Sequence, residues 1–134
     1  MALSSIKQTQ SKRSARLNIE LEQSLVLGID AGGSKTTAAI GTAEKILGTG
    51  QAGAANIHTT PTTDIVTHLQ TAVTAALQSA GIFRTTLHFS SIVVGMAGVD
   101  SPQDHIEAEQ CVEQALKPWL TAKTTLRVVN DIHI

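Results

Sequence analysis

Asp30, Ser34 and Lys35, spaced by Ala31-Gly32-Gly33, gather a carboxylate, a hydroxyl and an ammonium around a glycine turn. Such a set can hold a phosphate and its metal ion, because backbone N–H groups and the ammonium face the anion while the carboxylate faces the cation. Asn130-Asp131 offers a second chemistry. A carboxylate can accept the proton of an attacking hydroxyl, and the neighbouring amide can fix that hydroxyl's position. The competing reading of this pair is an Asx turn that ends a strand. Two familiar phosphate motifs come close and fail. Gly28 and Gly33 have P-loop spacing, but Ser34 stands where the lysine must follow and β-branched residues replace the required helix. Gly48-x-Gly50-x-x-Gly53 has neither an opening helix nor an acidic residue about 20 positions on, so it reads as a glycine-rich surface loop.

The elements that must position these groups follow from apolar spacing. Leu25 to Ile29 is a continuous apolar run, the pattern of a strand buried on both faces. Gly32 and Gly33 are expected to supply positive φ angles for the turn, and Thr36 to Ile40 returns as a second strand. Gly41 to Lys45 is a turn, and Ile46 to Gly50 is a third strand antiparallel to the second. Gln51 to Thr60 is an irregular loop carrying Asn56, Ile57 and His58, of a length that usually accompanies a task. Thr60 and Pro61 read as N-cap and first residue of a helix whose apolar positions, from Ile65 through Leu77, recur at helical spacing up to Gly81. Ser91 to Gly95 is a buried strand that runs into Met96 to Asp100. Ser101 caps a second helix with Pro102 at its first position and Asp104 in its first turn, and Pro118 ends it. Leu126 to Val129 is the fifth strand.

This order predicts a mixed α/β sheet: a three-strand meander, then two strands parallel to the first, joined by right-handed helical crossovers. Ligands collect at the carboxyl ends of parallel strands. Asp30, Gly95 to Gly98 and Asn130-Asp131 all fall there, so three separated segments converge on one edge.

Composition narrows the partners. With 134 residues, 42% hydrophobic and 16% charged, the chain can build one domain with a substantial core. A net charge of -1, two Phe, one Trp and no Tyr leave neither a basic footprint nor a stacking surface, which argues against nucleic acid as a partner. No apolar run reaches membrane-spanning length. Cys111 is the single cysteine, so an internal disulfide or a cysteine-bound cluster within one chain is excluded, and a reducing cytoplasm is the simplest compartment. The histidines at 58, 68, 88, 105 and 133 show no metal-ligand spacing. Residues 1–24 are polar, basic before Glu20 and without a core pattern. They read as a tail outside the domain at 25–134, with a weaker likeness to a transit peptide.

Gly28-Ile29-Asp30-Ala31-Gly32-Gly33-Ser34-Lys35-Thr36, Ala54-Ala55-Asn56-Ile57, Val94-Gly95-Met96-Ala97-Gly98 and Val129-Asn130-Asp131, in this order, resemble the N-terminal half of a BadF/BadG/BcrA/BcrD-type ATPase domain, nearest its N-acetylglucosamine kinase branch. The resemblance covers the chain from Leu25 onward. It implies a ribonuclease-H-like domain, the first half of a two-domain actin-like fold that closes over ATP and a small sugar. By that likeness Asp30 would help hold Mg2+, and Gly32, Gly33, Ser34, Lys35 and Thr36 would line the first phosphate loop. Asn56, Gly98 and Asn130 would meet the sugar, and Asp131 would be the catalytic base as well as a sugar ligand. A cytoplasmic enzyme, open to homodimerisation in its longer form, is the implied setting.

Family chains continue past Asp131 into a second phosphate loop, an adenosine site and a second domain. On this reading the 134 residues are a truncated form that phosphorylates nothing alone, with one sheet face short of helices. Two other functions stay open: a non-sugar ATPase of the dehydratase-activator type, and a non-catalytic remnant that binds a phosphate-bearing ligand or partner domain. Gly33-Ser34-Lys35 and Asn56-Ile57 favour the sugar kinase branch.

Overall fold

Alternation along the strands decides the layering. The computed structural model describes residues 25–83 and 87–130; the segment 1–24 and Asp131 lie outside the described residues. Five strands form one sheet in the order β3-β2-β1-β4-β5. β1 (Val26–Ala31), β2 (Thr36–Gly41) and β3 (Ile46–Ala52) are the antiparallel meander. β4 (Ser91–Met96) and β5 (Thr125–Val129) extend it in parallel from β1. The predicted topology is therefore the observed one, with most strands one or two residues longer than their apolar runs suggested.

On one face Leu27, Ile29 and Ala31 align with Ile40, Ala38 and Thr36 on β2 and with Ile92, Val94 and Met96 on β4, and all nine are buried. The helices α1 (Thr62–Ser79) and α2 (Pro102–Leu116) cover this face: α1 packs on β2 and β3, α2 on β5, and the two touch each other. Along the opposite face Val26 and Gly28 are half-buried and Asp30 is exposed. β1 is thus covered on one side only among the described residues, which corrects the reading of Leu25 to Ile29 as doubly buried. An uninterrupted apolar run does not distinguish the two cases when glycine occupies one of the outer positions.

α1 approaches β3 closely. A Cβ on Gly48 would lie 2.5 Å from the carbonyl oxygen of Ala76, and one on Gly50 would overlap the Ala72 carbonyl and the Ala76 amide. Ala72, Ala76 and Ala80, four residues apart, form the facing stripe. The Gly48-x-Gly50-x-x-Gly53 pattern is therefore a packing feature rather than a nucleotide fingerprint. α1 starts one residue later than predicted: Pro61 is its cap residue, without a side-chain cap, and the Thr60 hydroxyl turns back to accept the Asn56 N–H at 3.1 Å. Its other end closes as a Schellman motif, in which Gly81 at φ +73° lets its own N–H reach the Gln78 carbonyl and the Ile82 N–H reach that of Leu77.

α2 begins as its sequence indicates. The Ser101 side chain accepts the Asp104 N–H at 3.1 Å, and the Asp104 carboxylate accepts the Ser101 N–H at 3.1 Å, a complete capping box with Pro102 at the first position. Cys111 is buried on its inner face, and burial, helped by the Glu107 carboxylate, pushes its thiol pKa up. That environment suits packing rather than nucleophilic chemistry.

Candidate functional site

Asp30 is the penultimate residue of β1, on the uncovered face, and Gly32 to Lys35 make the turn to β2. The turn is closed by the Gly32 N–H donating to the Lys35 carbonyl at 2.8 Å. Neither Gly32 nor Gly33 has positive φ, contrary to the sequence expectation; among the described residues only Gly81 and Gly98 do. Gly32 is required by space, since a Cβ there would stand 2.9 Å from the Lys35 carbonyl oxygen. At Gly33 a Cβ would meet nothing within 4 Å, and Gly33, Ser34 and Lys35 are all exposed. Asp30 and Lys35, with Gly28, Thr37, Gln51 and Val93, line an open hollow of about 510 Å³ on the uncovered face.

Thr36 is placed differently from the rest of its motif. Its hydroxyl is fully buried on the helix-covered side and donates to the Gly53 carbonyl at 2.7 Å. It therefore anchors the following loop, and its side chain does not face the hollow. His68 of α1 anchors the same loop: its Nδ1–H donates to the Ala54 carbonyl at 2.6 Å, the carbonyl being able only to accept. A Cβ on Gly53 would lie 2.6 Å from that imidazole ring. The Ala55 N–H completes the attachment, reaching the Gly32 carbonyl at 2.9 Å.

Asn56 and Gly98, predicted from separate motifs, are brought together. Gly98 sits at φ +86°, and a Cβ there would fall 2.5 Å from Asn56 Oδ1. Main-chain bonds stitch the surrounding segments: the Ile57 N–H donates to the Ala97 carbonyl at 3.1 Å, and the Ala97 N–H to the Ala31 carbonyl at 2.9 Å. The β1–β2 hairpin, the Asn56 loop and the turn after β4 thus form one hydrogen-bonded edge. Asn130 follows β5 at that edge and lines a second hollow of about 480 Å³ with Val99, Asp100, Ser101, His105 and Val129.

Sequence reasoning missed the pairing of His58 with Asp104. Asp104 is only 8% exposed, and its Oδ2 accepts the N–H groups of Asp100 and Ser101 and approaches His58 Nε2, each at 3.1 Å. Burial works to raise its pKa, but the Asp100 N–H, the Ser101 contact and His58 outweigh it and hold the carboxyl below its ordinary 3.8. Asp104 is therefore ionised at neutral pH and His58 Nε2 carries the donated proton. His58, Asp100 and Asp104 are also the His/Asp group whose ligand atoms lie within 4.8 Å of one another among the described residues. Their hydrogen bonds mark a helix cap. The Ser-x-x-Asp pattern announced the cap, whereas no spacing announced the histidine 46 residues away.

Comparison with known proteins follows the same geometry. The chain spans about a third of the length of the solved structures it matches. A protein provisionally named as an N-acetylglucosamine kinase, from Chromobacterium violaceum, aligns over 78% of this chain and 35% of its own, with TM-score 0.55 and 17% identity. A second provisionally so named, from Porphyromonas gingivalis, aligns over 78% and 34%, with TM-score 0.56 and 20% identity. The ROK hexokinase from Thermus thermophilus aligns over 78% and 33%, with TM-score 0.54 and 17% identity. The fold is thus that of the corresponding part of these kinases. No curated protein sequence matches the chain significantly. The family model for the BadF/BadG/BcrA/BcrD ATPases matches residues 27–126, from β1 into β5, and by that match the chain belongs to the BadF/BadG/BcrA/BcrD ATPase family.

Proposed function

We propose that the chain forms the phosphate- and sugar-facing part of an ATP-dependent sugar kinase, with an amino sugar of the N-acetylglucosamine class as acceptor. The observation that carries this reading is the stitched edge: the Gly32–Lys35 turn with Asp30, the Asn56–Gly98 contact and Asn130 all gather at the carboxyl ends of β1, β4 and β5. Transfer of a γ-phosphoryl group needs charge neutralisation, in-line positioning and a proton acceptor, and these residue types supply each. Lys35 and the N–H groups of the open turn would face the phosphates, and Gly33 leaves the backbone bare for their approach. Asp30 would hold Mg2+, which when bound offsets phosphate charge. Asn130 and the Asn56 amide would fix the sugar. Its hydroxyl oxygen would then bond to the γ-phosphorus while its proton passes to the Asp131 carboxylate and the bond to the ADP oxygen breaks. The provisional names of the Chromobacterium and Porphyromonas neighbours support the amino sugar.

The test is ATP-dependent phosphorylation of N-acetylglucosamine by a protein carrying these residues together with a second lobe to cover the nucleotide. Asp131→Asn keeps a hydrogen bond but loses the proton acceptor, so turnover should fall about 10²- to 10⁴-fold with little change in sugar KM. An unchanged turnover number would remove Asp131 from the chemistry.

A further inference from the structure

The Asn56 side chain is committed on one side. Its Oδ1 accepts the main-chain N–H of His58 at 2.8 Å while lying against Gly98, and only an oxygen can take that role, which fixes the orientation of the amide. Oδ1 is thereby engaged, and the NH₂ group is the part left for a ligand. The residue that makes this contact is held in turn. The His58 ring donates from Nε2 to Asp104 Oδ2 at 3.1 Å, and its Cδ2 would be 3.1 Å from a Cβ on Gly98. Asp104 forms the α2 capping box with Ser101, and Ser101 and the preceding Asp100 line the Asn130 hollow. A single imidazole therefore ties the Asn56 loop to the helix start beside Asn130.

We propose that His58 is a positioning residue for the sugar end of the site, locking Asn56 so that it meets the acceptor as a hydrogen-bond donor and selects a substrate group with a free lone pair, such as an acetamido carbonyl oxygen. This rests on the sugar kinase reading above. The His58 side chain is 54% exposed, so little of the fold depends on it, whereas its Nε2 bond to Asp104 is a side-chain link between the loop and the helix cap and holds in place the residue whose main-chain N–H orients Asn56. Removing the ring loses the tie between residue 58 and the cap, leaving the main-chain bonds of Ala55 and Ile57 in place, and does not disturb the cap, because Asp104 keeps the Asp100 and Ser101 N–H groups.

The experiment compares the whole 134-residue chain with His58→Ala and His58→Gln by amide hydrogen exchange, melting temperature and NMR titration with N-acetylglucosamine. Glutamine can place an N–H near the position of Nε2. In His58→Ala, exchange at Ile57, Thr59 and Thr60 should quicken and the sugar dissociation constant rise, each about tenfold, with protection at Asp100 and Ser101 and the melting temperature unchanged. His58→Gln should recover most of both losses. Equal sugar affinity in wild type and His58→Ala overturns the proposal, as does weak binding that glutamine fails to rescue. A wild-type chain whose Asn56, Gly98 and Asn130 resonances ignore the sugar brings down the kinase reading and the positioning role together. That outcome is visible before any substitution is made.

Discussion

Gly32 and Gly33 are neighbours and are not equivalent. Gly32 has the Lys35 carbonyl against it, so a side chain there disturbs the turn, while Gly33 looks into open space with ordinary φ. Gly33→Val should therefore leave the unfolding free energy within about 0.5 kcal/mol of wild type, as for a surface change, yet abolish the response of the turn to ATP phosphates. Calorimetry with and without nucleotide separates the two effects; wild-type phosphate binding in the variant would mean that the turn is not the phosphate site. Asp104 carries a pH dependence of defined sign. Its folded pKa is depressed, so the stability it contributes is present above the ordinary 3.8 and is lost as pH falls through the lower folded value. The gap in unfolding free energy between wild type and Asp104→Asn should hold from pH 7 to about 5 and shrink below 3.8. Urea titrations at pH 7, 4.5 and 3 measure it, and a gap independent of pH would rule out the ionised cap. Asp30 and Asn130 were legible as polar residues ending apolar runs. The Asn56–Gly98 contact, the His58–Asp104 pair and the His68 anchor were not, because each joins segments whose distance only the folded sheet sets.

The strand β3 and helix α1 meet through glycine on one side and alanine on the other. Gly50→Val would drive side-chain atoms into the Ala72 and Ala76 backbone, which cannot rotate aside, so the helix must lift and stability should fall by about 3 kcal/mol or more. Gly28→Ala, where a Cβ meets nothing within 4 Å, is the control and should be close to neutral. Thermal unfolding of the pair checks this, and equal losses would deny the close helix–strand approach. At the start of α2, Ser101→Ala removes one half of the capping box and should cost about 1 kcal/mol. The α2 start was readable to the residue because Ser, Pro and Asp each have a position-specific physical reason. The α1 start was misread by one residue, since Thr60 is used by the Asn56 backbone and Pro61 needs no cap hydrogen bond to begin a helix.

At the scale of the whole molecule, the meander, both crossovers and the gathering of Asp30, Gly98 and Asn130 at one sheet edge followed from apolar runs and their punctuation. The face left uncovered did not follow from β1 alone, where glycine at position 28 hides the alternation; it emerges from the partners of Val26, Gly28 and Asp30 across the sheet. The same geometry leaves the Gly32–Lys35 turn accessible, because Asp30 lies on the uncovered side while Thr36 is drawn to the covered one. No helix among the described residues is long and apolar enough to cross a membrane. The phosphate end is where the kinase reading can be tested most directly. In a ¹⁵N NMR titration of the chain with ATP and Mg2+, the amides of Asp30, Gly33, Ser34 and Lys35 should shift saturably, and Asp30→Asn should remove the dependence on Mg2+. Saturable shifts confined to other residues, or none at the turn at any nucleotide concentration, would contradict the assignment of this edge to phosphoryl transfer.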